Sequence, residues 1–304
     1  MIIKQRCEPV DLRTFRYLKR RLTLSAAEIK NYLILDKGFE GEKEFDKWIK
    51  NLPFECLILN DLLLEYDQNV FQLDTLVIFH ETIYLINVKN YDGDFYIESD
   101  KWFTLSKTEI KDPLLQLKRS EYLLQQMIRS LGFHNYSIEA LLLFINPHFQ
   151  LYQAPMNLPI IFPTQLERFK NTLNKHTAKL NQKDFNLAKQ LHALHKIESS
   201  YKKTPEYEYN QLKKGILCSS CHSFDLDLSR ERMVCRNCGY VEAIHLAILR
   251  SIEEFIILFP NKKITTSVIH DWCVVIKSKK TIRRILRTYF KHIGYGSSSY
   301  YISD

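Results

Sequence analysis

Residues 71–93, FQLDTLVIFHETIYLINVKNYDG, decide how this chain folds. The segments 70–79 and 82–89 are short and rich in Val, Ile, Leu, Phe and Tyr. The polar pair His80-Glu81 separates them, which spells two adjacent strands rather than a helix. Asp74 interrupts the first apolar run, while in the second Asn87 and Lys89 stand two residues apart and project from one face. A charge in a buried strand is costly and needs a reason. Two are open. Asp74 and Lys89 form an internal ion pair with Asn87 hydrogen-bonded at a strand end, or the residues do chemistry. In the second case a carboxylate on one strand holds a divalent metal against a phosphate while a lysine on the next orients or activates water.

Upstream, Ser25-Ala-Ala-Glu28 has the pattern of a capping box. It predicts a helix containing Ile29, Leu33 and Leu35, interrupted at Gly38 and Gly41 and followed by a second helix from Glu42 to Asn51 that stops at Pro53. Glu42 then occupies a first turn, where a cap role competes with a site role. Residues 54–60 predict the first strand. Downstream, Asp92-Gly93 marks a turn, and residues 95–97 and 102–105 continue an antiparallel meander. Pro113 opens a helix with an apolar stripe of Leu114, Leu117, Tyr122, Leu123, Leu124 and Met127, and residues 137–146 form an apolar strand of the kind buried on both faces. The fold class that follows is α/β, a mixed sheet flanked by helices.

Taken in order, GFEGEKEFDKWIKNLP (38–53), LILNDLLL (57–64), FQLDTLVI (71–78), INVKNYDGDFY (86–96) and DPLLQLKRSEYLL (112–124) resemble the nuclease-related domain, NERD, over about residues 10–170. That family is similar to the PD-(D/E)XK nucleases. The resemblance implies a metal-dependent nuclease fold using Mg²⁺ or Mn²⁺ on DNA. It makes Glu42 the acid of the first helix, Asp74 the metal-binding aspartate, Lys89 the catalytic lysine and Gln116 the glutamine of the helix after the sheet. Where the family motif has Glu-x-Lys, this chain has Asn87-Val88-Lys89. An Asn oxygen can ligate Mg²⁺ but is neutral, so the site loses a negative charge toward a hard cation. Weaker metal binding is the expectation, with Glu42, Asp92 and Asp94 as candidates for a compensating carboxylate. The same substitution keeps a second reading open, a non-catalytic DNA-binding protein on a degenerate nuclease fold.

The 304 residues suffice for two domains, and 43 Lys and Arg against 35 Asp and Glu point to a polyanion partner. Residues 1–21 lack an apolar stretch of the secretory type, and no window reaches the roughly 18 apolar residues of a membrane span. A soluble, cytoplasmic protein is expected. Residues up to 24 read as a basic helix anchored by Leu12, Phe15 and Leu22. Of the seven cysteines, Cys7, Cys56 and Cys273 lie apart and read as small buried hydrophobes. The other four, Cys218, Cys221, Cys235 and Cys238, form CxxC, a thirteen-residue gap and CxxC, the spacing of a closed, structural Zn²⁺ site. The segment resembles a zinc ribbon, its hairpin decorated by Arg230, Arg232 and Arg236.

Residues 242–260, 265–275 and 278 onward carry three helical patterns. The third combines an apolar face of Ile282, Ile285, Leu286 and Phe290 with a basic one of Lys279, Lys280, Arg283, Arg284, Arg287 and Lys291, and Ser278 is its expected cap. With the hairpin-like HIGYGSSSYYI after it, this part resembles a winged helix-turn-helix that docks a basic helix on DNA. The domain reading is therefore 1–198 nuclease-like, 199–215 linker, 216–240 zinc ribbon and 241–304 winged helix.

Overall fold

The computed structural model describes residues 1–50, 55–196, 204–229 and 231–303. Pro53, the start of the expected first strand, Arg230 and the first residues of the expected linker fall outside them. The chain begins with β1 (Ile2–Lys4), α1 (Val10–Arg21) and α2 (Ala26–Lys50), then β2 (Leu57–Tyr66), β3 (Asn69–Phe79) and β4 (Thr82–Lys89). Next come β5 (Gly93–Glu98), β6 (Lys101–Thr104), β7 (Glu109–Ile110), α3 (Pro113–Ser130), β8 (Ser137–Phe144), β9 (Phe149–Tyr152), β10 (Ile160–Ile161), α4 (Leu166–Leu173) and α5 (Gln182–Ala193). Two units divide the chain: Met1–Glu8 with Leu33–Lys202, and Pro9–Tyr32 with Lys203–Asp304.

In the first unit six strands form one mixed sheet in the order β1-β2-β3-β4-β8-β10. β2, β3 and β4 are antiparallel neighbours, whereas β8 runs parallel to β4, the crossover between them being long enough to hold α3. Leu114, Leu117, Leu124 and Met127 of α3 and Leu187 and Leu191 of α5 pack on one face. Phe45 and Ile49 of α2 and Phe169 and Leu173 of α4 pack on the other. Residues 95–105 do not extend this sheet: β5 and β6 join β7 and β9 in a separate four-stranded sheet ordered β7-β6-β5-β9. Tyr122, expected in the α3 stripe, is 62% exposed.

The two helices expected over 25–51 are one. Ser25 and Glu28 form the capping box, with Ser25 N–H donating to Glu28 Oε2 at 2.7 Å, and the helix then runs through Gly38 and Gly41 without a break. Gly41 serves a close approach. A Cβ there would stand 2.5 Å from Asn90 Cβ, and the Asn90 amide donates to the Lys37 carbonyl at 2.8 Å, clamping α2 against the end of β4. Glu42 thus lies well inside a helix rather than in its first turn, and the cap reading falls.

β2 and β3 share an irregularity. Leu57 and Leu59 face the α3 side of the core, and so do Leu62 and Leu64; on β3 Phe71 and Leu73 do, and then Leu76 and Ile78. The period-2 alternation slips by one in both strands at the same level, across Asn60-Asp61 and Asp74-Thr75. Asp61 absorbs the slip with φ 53°. Four polar residues are thereby gathered in the middle of an apolar sheet.

The second unit holds α1, β11 (Leu226–Ser229), β12 (Arg232–Cys235), β13 (Val241–Ala243), α6 (Ile244–Leu258), α7 (Thr266–Cys273), α8 (Lys279–Tyr289), β14 (Lys291–Ile293) and β15 (Tyr300–Ile302). Residues 9–32, expected in the first domain, belong here because Arg21 is buried against α6. Its guanidinium donates to both carboxylate oxygens of Glu254 at 2.6 and 2.7 Å and to the carbonyls of Lys213 and Gly215, and it stacks 4.1 Å over Trp272. Leu12, Phe15 and Leu18 supply the apolar contacts of α1. Thr265 caps α7, accepting from Val268 N–H, whereas the side chain of Ser278 makes no capping bond to α8.

Breaking a buried, hydrogen-bonded ion pair from one side strands the other charge. Arg21→Met is expected to destabilise the protein by about 3–5 kcal/mol in urea unfolding, and Arg21→Met with Glu254→Met to recover most of that loss.

Candidate active site and metal centre

The β3–β4 ladder runs from Phe79↔Thr82 to Thr75↔Ile86 and stops. In that register the next pair is Asp74 and Asn87. Instead of pairing through the backbone, the Asp74 carboxylate turns into the gap, where Val88 N–H donates to Oδ2 at 2.9 Å. Asp74 is 7% exposed, and burial pushes its pKa up against the opposing pull of Lys89 and the Val88 N–H. Asn87 is 2% exposed, and its Oδ1 has no hydrogen-bond partner among the described residues. Lys89, half-buried, donates from Nζ to Gln116 Oε1 at 3.2 Å and forms no ion pair with Asp74. Asp74, Asn87, Lys89 and Gln116 therefore meet at the open end of the β3–β4 ladder.

Glu42 is held by a residue that no sequence pattern singled out. Arg6 Nη1 donates to Glu42 Oε2 at 2.7 Å, its other nitrogens grip Asp46 at 2.9 and 3.1 Å, and Nη2 donates to the Asp74 carbonyl and the Thr75 hydroxyl. The Arg6 side chain is only 3% exposed. In sequence it was one cation in a basic N-terminal stretch. Burial first, and the Asp74 charge second, raise the Glu42 pKa to about 8 despite Arg6. Asp61 adds to the negative field at Glu42 and at Asp74. The expected compensating acids Asp92 and Asp94 are engaged elsewhere, Asp92 with Lys37 at 3.4 Å and Asp94 as acceptor from the Tyr152 hydroxyl at 3.3 Å.

The donor set of the site is all oxygen, and the orphaned Asn87 Oδ1 is a buried acceptor lacking a donor or cation. That chemistry fits a hard divalent ion. The carboxylates are not drawn to ligand spacing of one another: among the described residues, only the four cysteines bring three or more His, Cys, Asp or Glu ligand atoms within 4.8 Å. Cys218 and Cys238 sulfurs lie 3.7 Å apart and Cys221 and Cys235 sulfurs 3.5 Å. Four thiolates at about 2.3 Å from one Zn²⁺ stand about 3.8 Å apart in a tetrahedron, so the cluster has the size of a zinc site. Asn237 donates to Cys221 Sγ at 3.4 Å, and Gly239 takes φ 73° directly after the last cysteine. His222 is exposed and contacts the Cys218 carbonyl, outside the sulfur cluster. Of the arginines on this hairpin, Arg236 is bound to Asp227 at 2.7 and 2.6 Å. Cys56 and Cys273 are buried as expected, but Cys7 is exposed.

On α8 the apolar residues Ile282, Ile285 and Leu286 are buried, and Lys279, Lys280, Arg283, Arg284 and Arg287 are exposed, as is Lys291 at the start of β14. None of the six makes an ion pair among the described residues. Lys280, Arg283, Arg284 and Arg287, with Thr288, line an open cleft of about 300 Å³.

The family model of the nuclease-related domain matches residues 37–145, just over a third of the chain. The matched segment contains Glu42, Asp74, Asn87, Lys89 and Gln116, and it is similar to the nuclease-related domain. No curated protein and no solved structure matches the chain. No helix among the described residues is long and apolar enough to cross a membrane.

Burial and the Asp74 charge raise the Glu42 pKa in the folded chain to about 8, against an ordinary value of 4.5 and the opposing pull of Arg6. The protonated form is the one folding favours, so its stabilising contribution is complete below the unfolded pKa and disappears as pH rises through the folded one. In protein freed of divalent ions, the melting temperature is expected to fall as pH rises from about 5 to about 8, and Glu42→Gln, which mimics the neutral acid, to flatten that fall. The chain is further expected to carry one zinc by elemental analysis, with Cys218→Ser or Cys235→Ser releasing it and loosening β11–β13 as seen by amide exchange.

Proposed function

We propose that this chain binds DNA and that its nuclease-related unit hydrolyses phosphodiester bonds with a divalent metal, Mg²⁺ or Mn²⁺. The observation that carries the reading is the meeting of Asp74, Asn87, Lys89 and Gln116 at the end of the β3–β4 ladder, inside the segment that matches the nuclease-related domain. In this reading the sheet and its helices are a PD-(D/E)XK core. Asp74, Glu42 and the Asn87 oxygen would hold the ion, and its chemistry when bound would be Lewis-acid polarisation of the phosphate and acidification of water. Lys89 presents its ammonium where negative charge develops in the transition state, and Gln116 fixes its direction. Arg6 keeps Glu42 in place and tethers α2 to β3.

The second unit is the substrate-holding part. The order α6, α7, α8 and the β14–β15 hairpin, with Thr265 capping the middle helix, supports a winged helix, and its unpaired cations suit backbone phosphates. The cysteine cluster and β11–β13 support a zinc ribbon with structural Zn²⁺. A second reading rests on Asn87: a site one negative charge short favours a protein that binds DNA without cutting it.

Cleavage of labelled DNAs in Mg²⁺ and Mn²⁺ separates the two. A cutting enzyme is expected to be silenced by Asp74→Ala and accelerated by Asn87→Glu. A silent chain that cuts only as Asn87→Glu identifies a binding protein, and silence of both overturns the nuclease reading. Arg283→Ala, Arg284→Ala and Arg287→Ala are each expected to weaken DNA binding for all sequences alike and to lower the slope of log affinity against log salt by about one.

A further inference from the structure

Asn87 leaves the site short of a charge, and a carboxylate that the family resemblance does not name stands at the right level of the sheet. Asn60 is in register with Thr75 and Leu62 with Leu73, which sets Asp61 across from Asp74. The simultaneous slip of β2 and β3 falls at both aspartates, with Asp61 in the left-handed region at φ 53°. Non-glycine residues in that region are uncommon and cluster at sites.

The surroundings of Asp61 leave its carboxylate available. Lys4, the nearest cation, spends its hydrogen bonds on main-chain carbonyls, those of Asn60 at 2.9 Å and Asp61 at 2.8 Å, and stands 3.9 Å from Asp61 Oδ2. Asp61 Oδ1 accepts from Gln72 Nε2 at 2.8 Å. A separate observation points to a ligand at this level. Asn87 is 2% exposed, and its side-chain oxygen is buried with no partner among the described residues. It stands in the register position facing Asp74. A buried acceptor without a donor beside a buried carboxylate suits an oxygen-liganded cation.

We infer that Asp61 is a ligand of the divalent-cation site and supplies the negative charge that Asn87 gives up. The inference rests on the nuclease reading of the first unit and adds a residue from β2 to the acid of α2 and the aspartate of β3. It also accounts for how a neutral residue is accommodated at position 87: the charge is carried by the strand on the other side of Asp74.

The test is Mn²⁺ binding to the zinc-loaded full chain, read by electron paramagnetic resonance and calorimetry, so that no turnover is needed. Asp61→Asn retains the oxygen that accepts from Gln72, and it is expected to lower Mn²⁺ affinity at least about tenfold. Asp61→Asn combined with Asn87→Asp is expected to restore it, a recovery that a misfolded variant does not show. Unchanged affinity in Asp61→Asn, with binding lost in Asp74→Asn, overturns the role of Asp61 and leaves the nuclease reading standing. Failure of the wild-type chain to bind Mn²⁺ overturns both.

Discussion

The slip in alternation shared by β2 and β3 is the constraint on which the first unit depends. A sheet buried on both faces has no natural place for charge, and a slip in one strand alone would set its neighbour's apolar residues against the wrong layer. Because both strands slip at one level, the leucines on either side stay in the core and only Asn60-Asp61 and Asp74-Thr75 are displaced. Arg6 then makes the displacement tolerable. Its guanidinium satisfies the Asp74 carbonyl and the Thr75 hydroxyl, and anchors two acids of α2. The Gly41–Asn90 approach fixes the same stretch of the helix against the end of β4. Position and charge at the sheet's open end are thus set by the fold before any ligand arrives.

Much of this arrangement was written locally in the chain. The strands 70–79 and 82–89, the capping box at Ser25, the Pro113 helix start and the apolar strand from residue 137 are short-range patterns, and each was legible because periodicity and turn chemistry act over a few residues. Asp74, Asn87 and Lys89 stood out for the same reason, as polar interruptions of apolar runs. Gly38 and Gly41 misled because a glycine that breaks a helix and one that admits a neighbouring strand look alike in sequence. Arg6 and Arg21 were hidden for a deeper reason: their acidic partners lie 36 to 233 residues away, and nothing nearby in sequence distinguishes a buried cation from a solvated one.

The two units handle buried charge in contrasting ways. In the second, Arg21 and Glu254 satisfy each other in full, with the remaining donors on carbonyls and an indole beneath. Such a pair is structural: it orients helices, and its charges neutralise each other. In the first, Glu42 is raised to about 8, Asp74 is raised by burial, and Asn60 and Asn87 keep unpaired oxygens. Incomplete satisfaction is costly in a core and is where function concentrates. The cations of α8 represent a third case, exposed and unpaired, in which water does the satisfying until a polyanion replaces it.

The order of the chain gives the Arg21–Glu254 pair a kinetic meaning. The polypeptide passes from the first unit to the second after Glu8, returns at Leu33, and leaves again near Lys203. During synthesis α1 emerges early, yet Glu254 follows 233 residues later, a delay of roughly 10–50 s at ordinary elongation rates. The large sheet can close within that interval, while α1 must wait with an uncovered apolar face and an arginine still in water. The nascent chain therefore passes through a stage in which one unit is finished and α1 remains an undocked excursion between β1 and α2, exposed to chaperones and proteases until the last hundred residues arrive.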